Sequence, residues 1–332
     1  MSSTFGRRSF LKKSLAATVA APVVISMEEH LLVSQAAAAE TSAVLPVTPK
    51  PPSYGKWYGT IGKVKMGRIL CGGNLISGYA HSRDLIYVSK LLKHYFTDEK
   101  IIETWARCEE NGVNTMVTNP SDPNALRVYQ KYRKMGGKIQ YLAQIGPNKD
   151  DLKTAVQQAV DGGAVGAFLL GNLGDLWTRT GSTSSIAELI DLIKAQGLIA
   201  GVAGHELRTP REVEKSGAKP DFYVKTLHHT NYWSTRRSDQ TKDVIDNYSI
   251  DNYWCQDPKE TINFMAKVDR PWIAYKVLAA GAIPPKSGFR HAFENGADFA
   301  MVGMFDFQVA ENVSVANEVL NSQLDRERGW MA

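Results

Sequence analysis

From Arg68 onward the chain alternates short apolar runs with longer amphipathic stretches. The apolar runs fall at residues 69–73, 115–118, 140–144, 166–170, 199–203, 221–226, 272–277 and 299–302. Near-continuous hydrophobicity over so few residues predicts strands covered on both faces, as in a parallel sheet. The stretches at 98–111, 124–135, 149–161, 184–196, 210–215, 258–267 and 285–294 carry helical spacing. Helix starts are predicted at Thr97-Asp98, Thr209-Pro210 and Asp257-Pro258, and stops at Asn111-Gly112, Gly162-Gly163, Gly197 and Gly217. Eight strand–helix units of about 30 residues close most simply as an α/β fold, a (β/α)8 TIM barrel, over residues 67–325. The alternative is an open doubly wound sheet, but no G-x-G-x-x-G follows the first strand.

Two connections exceed a simple turn: residues 74–97 after the first strand and 227–257 after the sixth. Both lie on the C-terminal side of their strands, where barrels build active sites. The second carries Tyr232, Trp233, Tyr248, Tyr253 and Trp254, which could stack on sugar rings or fold the loop into a small core.

The N-terminus changes the picture. Arg7 and Arg8, followed by Phe10, Leu11 and Lys12, resemble the twin-arginine export pattern. A short apolar stretch and the small residues Ala36–Ala39 follow. Residues 1–39 are read as a cleaved signal that engages the twin-arginine translocation machinery. Residues 40–66, with four prolines and no apolar period, are read as a linker or strap. The mature protein is therefore expected outside the cytoplasm, in the periplasm or beyond, without a membrane span.

Composition adds little. The formal net charge is +5, of which +2 lies in residues 1–39, too small a bias for nucleic acid. Cys71, Cys108 and Cys255 have no metal-like spacing and read as buried thiols, with one disulfide plus an odd thiol as the alternative.

Polar residues stand at nearly every strand end: Asn74, Asn119, Gln144, Asn172, His205, Glu206, Lys225, His228, His229, Lys276 and Asp306. A barrel gathers these ends at one mouth, where His81 would join them, so they are expected to meet a small-molecule substrate. Lys225 and Lys276 interrupt apolar strands. A buried lysine must be paired or neutral, and two close together repel, leaving an amine able to attack a carbonyl. The alternative gives each a carboxylate partner, such as Glu206 or Asp306. His205, Glu206 and His228 could instead bind a divalent ion, Zn²⁺, Mn²⁺ or Fe²⁺. Gly281 and Gly303 suggest a phosphate or carboxylate pocket after the last two strands.

The run Asp221 to Thr226, ending in Lys225-Thr226, resembles the sixth-strand motif of deoxyribose-phosphate-type class I aldolases. Lys276 matches that family's second lysine, and Gly281 to Ile283 with Gly296 to Gly303 resemble its phosphate-binding segments. The resemblance covers residues 220–303. It implies that Lys225 forms a Schiff base and that Lys276 depresses its pKa. Leu227-His228-His229 and Leu170-Gly171-Asn172 depart from the family pattern. The whole chain resembles exported barrel proteins loosely labelled aldo/keto reductase. The reductase motif, Asp-Thr-Ala followed by Tyr-Gly, is absent, so hydride transfer is set aside.

These readings converge on an exported barrel enzyme with lyase or isomerase chemistry on a small carbonyl or sugar-derived substrate, including carboxylate-bearing ones. Lys225, Lys276, His228, His205 and Glu206 would be catalytic. Asn74, His81, Asn119, Asn172, Trp233, Gly281, Gly303 and Asp306 would bind substrate. The alternatives are a metal-dependent isomerase or hydrolase using His205, Glu206 and His228, and a non-catalytic carbohydrate-binding barrel using the aromatic loop.

Overall fold

Strand parity decides this molecule, because each strand sends alternate side chains to the barrel axis and to the helices. The computed structural model describes residues 56–79, 85, 87–235 and 255–332. The signal-like segment, most of the 40–66 stretch, His81, Tyr248, Tyr253 and Trp254 lie outside them.

A hairpin of β1 (Tyr58–Ile61) and β2 (Val64–Gly67) comes first. Eight parallel strands follow: β3 (Ile69–Cys71), β4 (Thr115–Thr118), β5 (Gln140–Ile145), β6 (Gly166–Leu169), β7 (Ile199–Gly204), β8 (Phe222–Thr226), β9 (Trp272–Tyr275) and β10 (Phe299–Val302). β10 pairs back onto β3, closing the barrel as the apolar runs implied. The helices are α1 (Val88–Tyr95), α2 (Asp98–Glu110), α3 (Pro123–Lys134), α4 (Leu152–Asp161), α5 (Gly171–Arg179), α6 (Thr183–Ala195), α7 (Arg208–Ser216), α8 (Pro258–Met265), α9 (Pro285–Glu294) and α10 (Val309–Asn321).

Two apolar cores result. The inner one joins Leu70, Val117, Leu142, Phe168, Phe222, Val224, Ile273 and Phe299. The outer one sets Met116, Tyr141, Leu169, Tyr223 and Trp272 against the helices. The hairpin adds Ile61, Val64 and Met66 to the inner core, so residues 56–66 plug the end where the strands begin. Four-residue strands are too short to show their alternation as a period in sequence. At the same end Asp298, fully buried, accepts bonds from Arg328 at 2.8 Å, Arg326 at 3.3 Å and the Met331 amide at 2.8 Å, fastening the last residues there.

The expected starts of α2 and α8 stand: Thr97 and Asp257 accept the Lys100 and Glu260 amides. The expected cap at Thr209 does not. α7 begins at Arg208, and the Thr209 hydroxyl serves Asp175 instead. Helices α1, α5 and α10 were not expected.

Candidate active site

α5 starts directly after β6, and its first turn carries Gly171 and Gly174. These glycines remove the side chains that would hold α5 off its neighbours. A Cβ on Gly174 would stand 2.1 Å from the Ala203 oxygen, and one on Gly171 2.8 Å from His205 Cε1. The close approach sets Asp175, fully buried, against the end of β7. Asp175 Oδ2 accepts the His205 Nδ1 proton at 2.8 Å. The carboxylate also accepts the His205 and Glu206 amides at 3.0 Å and the Thr209 hydroxyl at 2.7 Å. Burial alone would raise the Asp175 carboxyl. Donation from His205, Thr209 and the Glu206 amide reverses that and holds it below the usual carboxylate value.

His205 directly follows β7, and its ring packs against Tyr275, which adjoins the inner core. Burial, outweighing the pull of Asp175, pushes its pKa down to about 4. The ring is therefore neutral at physiological pH. Because Asp175 takes the Nδ1 proton, Nε2 keeps its lone pair and can act as a base.

Tyr275 packs against the inner core, its ring centroid 5.3 Å from that of His205. Its hydroxyl lies 2.7 Å from where a Gly171 Cβ would stand. Strict alternation would send Lys276 outward with Trp272 and Ala274. Instead Lys276 takes a left-handed φ of 60°, rare for a side chain of this size, and Nζ lies 5.6 Å from the Tyr275 ring centroid. Burial holds the Lys276 ammonium well below its ordinary pKa, and its charge lowers that of His205. Asp175, His205, Tyr275 and Lys276 thus form one polar group at the C-terminal end of the barrel.

The other expected residues are placed differently. Lys225 shares parity with Tyr223 and points to the helix layer, away from the axis. Its Nζ donates to the His205 oxygen at 2.7 Å and the Thr226 oxygen at 3.1 Å. The carboxylate partners offered for it are engaged elsewhere. Glu206 stands 3.4 Å from Arg179 and 4.0 Å from Arg208, and Asp306 pairs with Lys100 at 3.0 Å and takes the Tyr95 hydroxyl. Asp306 therefore ties α1 and α2 together rather than lining the mouth. His228 donates from Nδ1 to the His229 oxygen and accepts the Cys255 amide at Nε2, both at 2.9 Å. With both nitrogens engaged and His205 Nδ1 on Asp175, the suggested His205–Glu206–His228 ion site does not assemble. Among the described residues no group of three or more such side chains could hold a metal.

Asn119 and Asn172 turn their oxygens onto the nearby Ser121 and Leu173 amides. Asn74 is half-buried in the loop after β3. Trp233 is 93% exposed. Gly281, at φ 87°, is an exposed turn with open space around it, not a cradle. Gly303 stands exposed at the end of β10 beside Leu75. The sequence reading overlooked Asp175 and Tyr275. The small-residue spacing of Gly171 and Gly174 just before Asp175 was the available signal for the first.

No protein-family description matches the chain. No curated protein is similar to it. Among solved structures, the chain is similar to a Pseudomonas aeruginosa protein to which aldo-keto reductase activity is provisionally ascribed. Identity is 15% over 80% of this chain and 95% of that one, with a TM-score of 0.54. A second structure under the same description gives 15% identity, 80% and 96% coverage and a TM-score of 0.53. A truncated 3-deoxy-D-arabino-heptulosonate 7-phosphate synthase from Thermotoga maritima gives 14% identity, 79% and 88% coverage and a TM-score of 0.42. At this identity the likeness is one of fold, the (β/α)8 barrel that the strand order closes.

Proposed function

We propose that the protein is an enzyme acting on a small carbonyl compound at the barrel mouth, with lyase or isomerase chemistry. Lys276 takes the amine role first expected of Lys225. The observation that carries this reading is the neutral His205 imidazole, oriented by a buried Asp175, beside a desolvated amine at the C-terminal end of the barrel. The roles follow from the groups themselves. A neutral Lys276 amine attacks the carbonyl carbon, and loss of water leaves an imine that draws electrons from the neighbouring carbon. His205 Nε2 removes the proton that starts bond cleavage or migration and returns it afterwards. Asp175 stabilises the imidazolium formed in between. Tyr275 is placed to donate a proton to the departing oxygen.

Borohydride reduction in the presence of a panel of aldehydes and keto acids tests this. A reduced adduct mapped by mass spectrometry to Lys276, and lost in Lys276→Met, is expected. An adduct on Lys225 alone would restore the original assignment. Carbonyl-dependent oxidation of NADPH with no adduct would replace the reading by carbonyl reduction.

A further inference from the structure

A cavity of about 550 Å³ opens on the helix side of β8, between α7 and α8, with His205 on its lining. At its inner end stands Lys225, 2% exposed. Two carbonyl oxygens accept two of its protons, and among the described residues no carboxylate lies within 4.0 Å of Nζ. A buried ammonium served only by neutral acceptors is incompletely compensated, and its third proton is available to a ligand. The same cavity is lined by Arg179 and Arg208, by Arg211 and Lys215, which pair with Glu260 and Glu212, and by Glu206 and Asp257. Arg179 and Arg208 approach Glu206 only loosely, at 3.4 and 4.0 Å, and Arg208 is 56% exposed. The lysine, these arginines and a hollow large enough for a small ligand all meet there.

We propose that this cavity binds a small oxyanion, a phosphate or carboxylate group, with Lys225 as its buried donor and Arg208 at its entrance. The site is separate from the glycine turns after β9 and β10, where an anion pocket was first expected. His205 is shared with the mouth, but the anion contacts are assigned to Lys225 and Arg208, neither of which has a role in the mouth chemistry, so absence of anion binding leaves that reading untouched. Lys225 holds the His205 carbonyl, so the bound anion pulls on the residue that carries the catalytic imidazole.

Calorimetric titration with inorganic phosphate, and separately with succinate, in a low-salt cationic buffer provides the test. Saturable binding at one site per chain is expected, and the tighter of the two anions names the class. Lys225→Met should weaken it by about tenfold or more and Arg208→Ala by a few-fold, as loss of charge-assisted bonds would. Lys276→Met should leave the affinity unchanged. Absence of saturable binding with either anion, or equal affinity in wild type and both variants, overturns the proposal. Should circular dichroism show Lys225→Met unfolded, the exposed Arg208→Ala/Lys215→Ala double variant decides, and unchanged affinity there overturns it as well.

Discussion

At the scale of residues, Asp175 does two things with one carboxylate: it receives backbone amides at the end of β7, and it dictates which nitrogen of His205 carries the proton. Asp175→Asn separates them. An amide keeps much of the shape but presents an N–H toward Nδ1, so the ring proton should move to Nε2 and the base should vanish. Nitrogen NMR of the histidines should show His205 protonated at Nδ1 in the wild type and at Nε2 in the variant. Turnover on any substrate found by trapping should fall about 10⁴-fold, the scale for a misplaced tautomer. Stability should drop by only about 1–3 kcal/mol, since some of the amide bonds survive. An unchanged tautomer would remove Asp175 from its orienting role.

At the scale of elements, the closeness of α5 to β7 builds the site. Gly174→Ala should force the helix off the Ala203 carbonyl, because backbone cannot yield as a flexible side chain does. Overpacking of this kind costs about 1–3 kcal/mol, and here it should also separate Asp175 from His205. Thermal denaturation should show the loss, while Gly146→Ala, whose Cβ would meet only the Leu170 and Leu173 side chains at 3.6 and 3.8 Å, should change little. The same contact explains what the sequence could and could not tell. The eight strands were legible because buried parallel strands are written as unbroken apolar runs, and Asp257-Pro258 marked a real helix start. α5 was hidden because its first turn is glycine and asparagine, poor helix formers retained for close packing and a turn. Lys225 was misassigned because period-two alternation identifies two faces without saying which is inside; only Phe222 and Val224 joining the inner core settles that. Lys276 escaped the alternation through a left-handed φ that its local sequence does not require.

At the scale of the whole molecule, burial of imidazoles makes acid the natural denaturant. His205, His228 and His291 are each lowered to about 4, in every case first by burial. In the unfolded chain the same rings titrate near 6.5. Between about pH 6.5 and 4 the unfolded state therefore binds up to three more protons than the native state. Stability is fully present above the unfolded value and falls as pH drops through this window, by about 1.4 kcal/mol per pH unit for each extra proton. Asp175 and Asp306, whose carboxyls are held below their ordinary value, act in the same direction at still lower pH. Urea midpoints at pH 7, 6 and 5 should decline in that order, with the steepest loss below pH 6. His228→Gln should flatten the decline by up to one proton's worth. A midpoint that holds steady or rises toward pH 5 would mean that these rings are solvated in the native protein. A solvated His205 would then be largely protonated at pH 5 and could not serve as the base there.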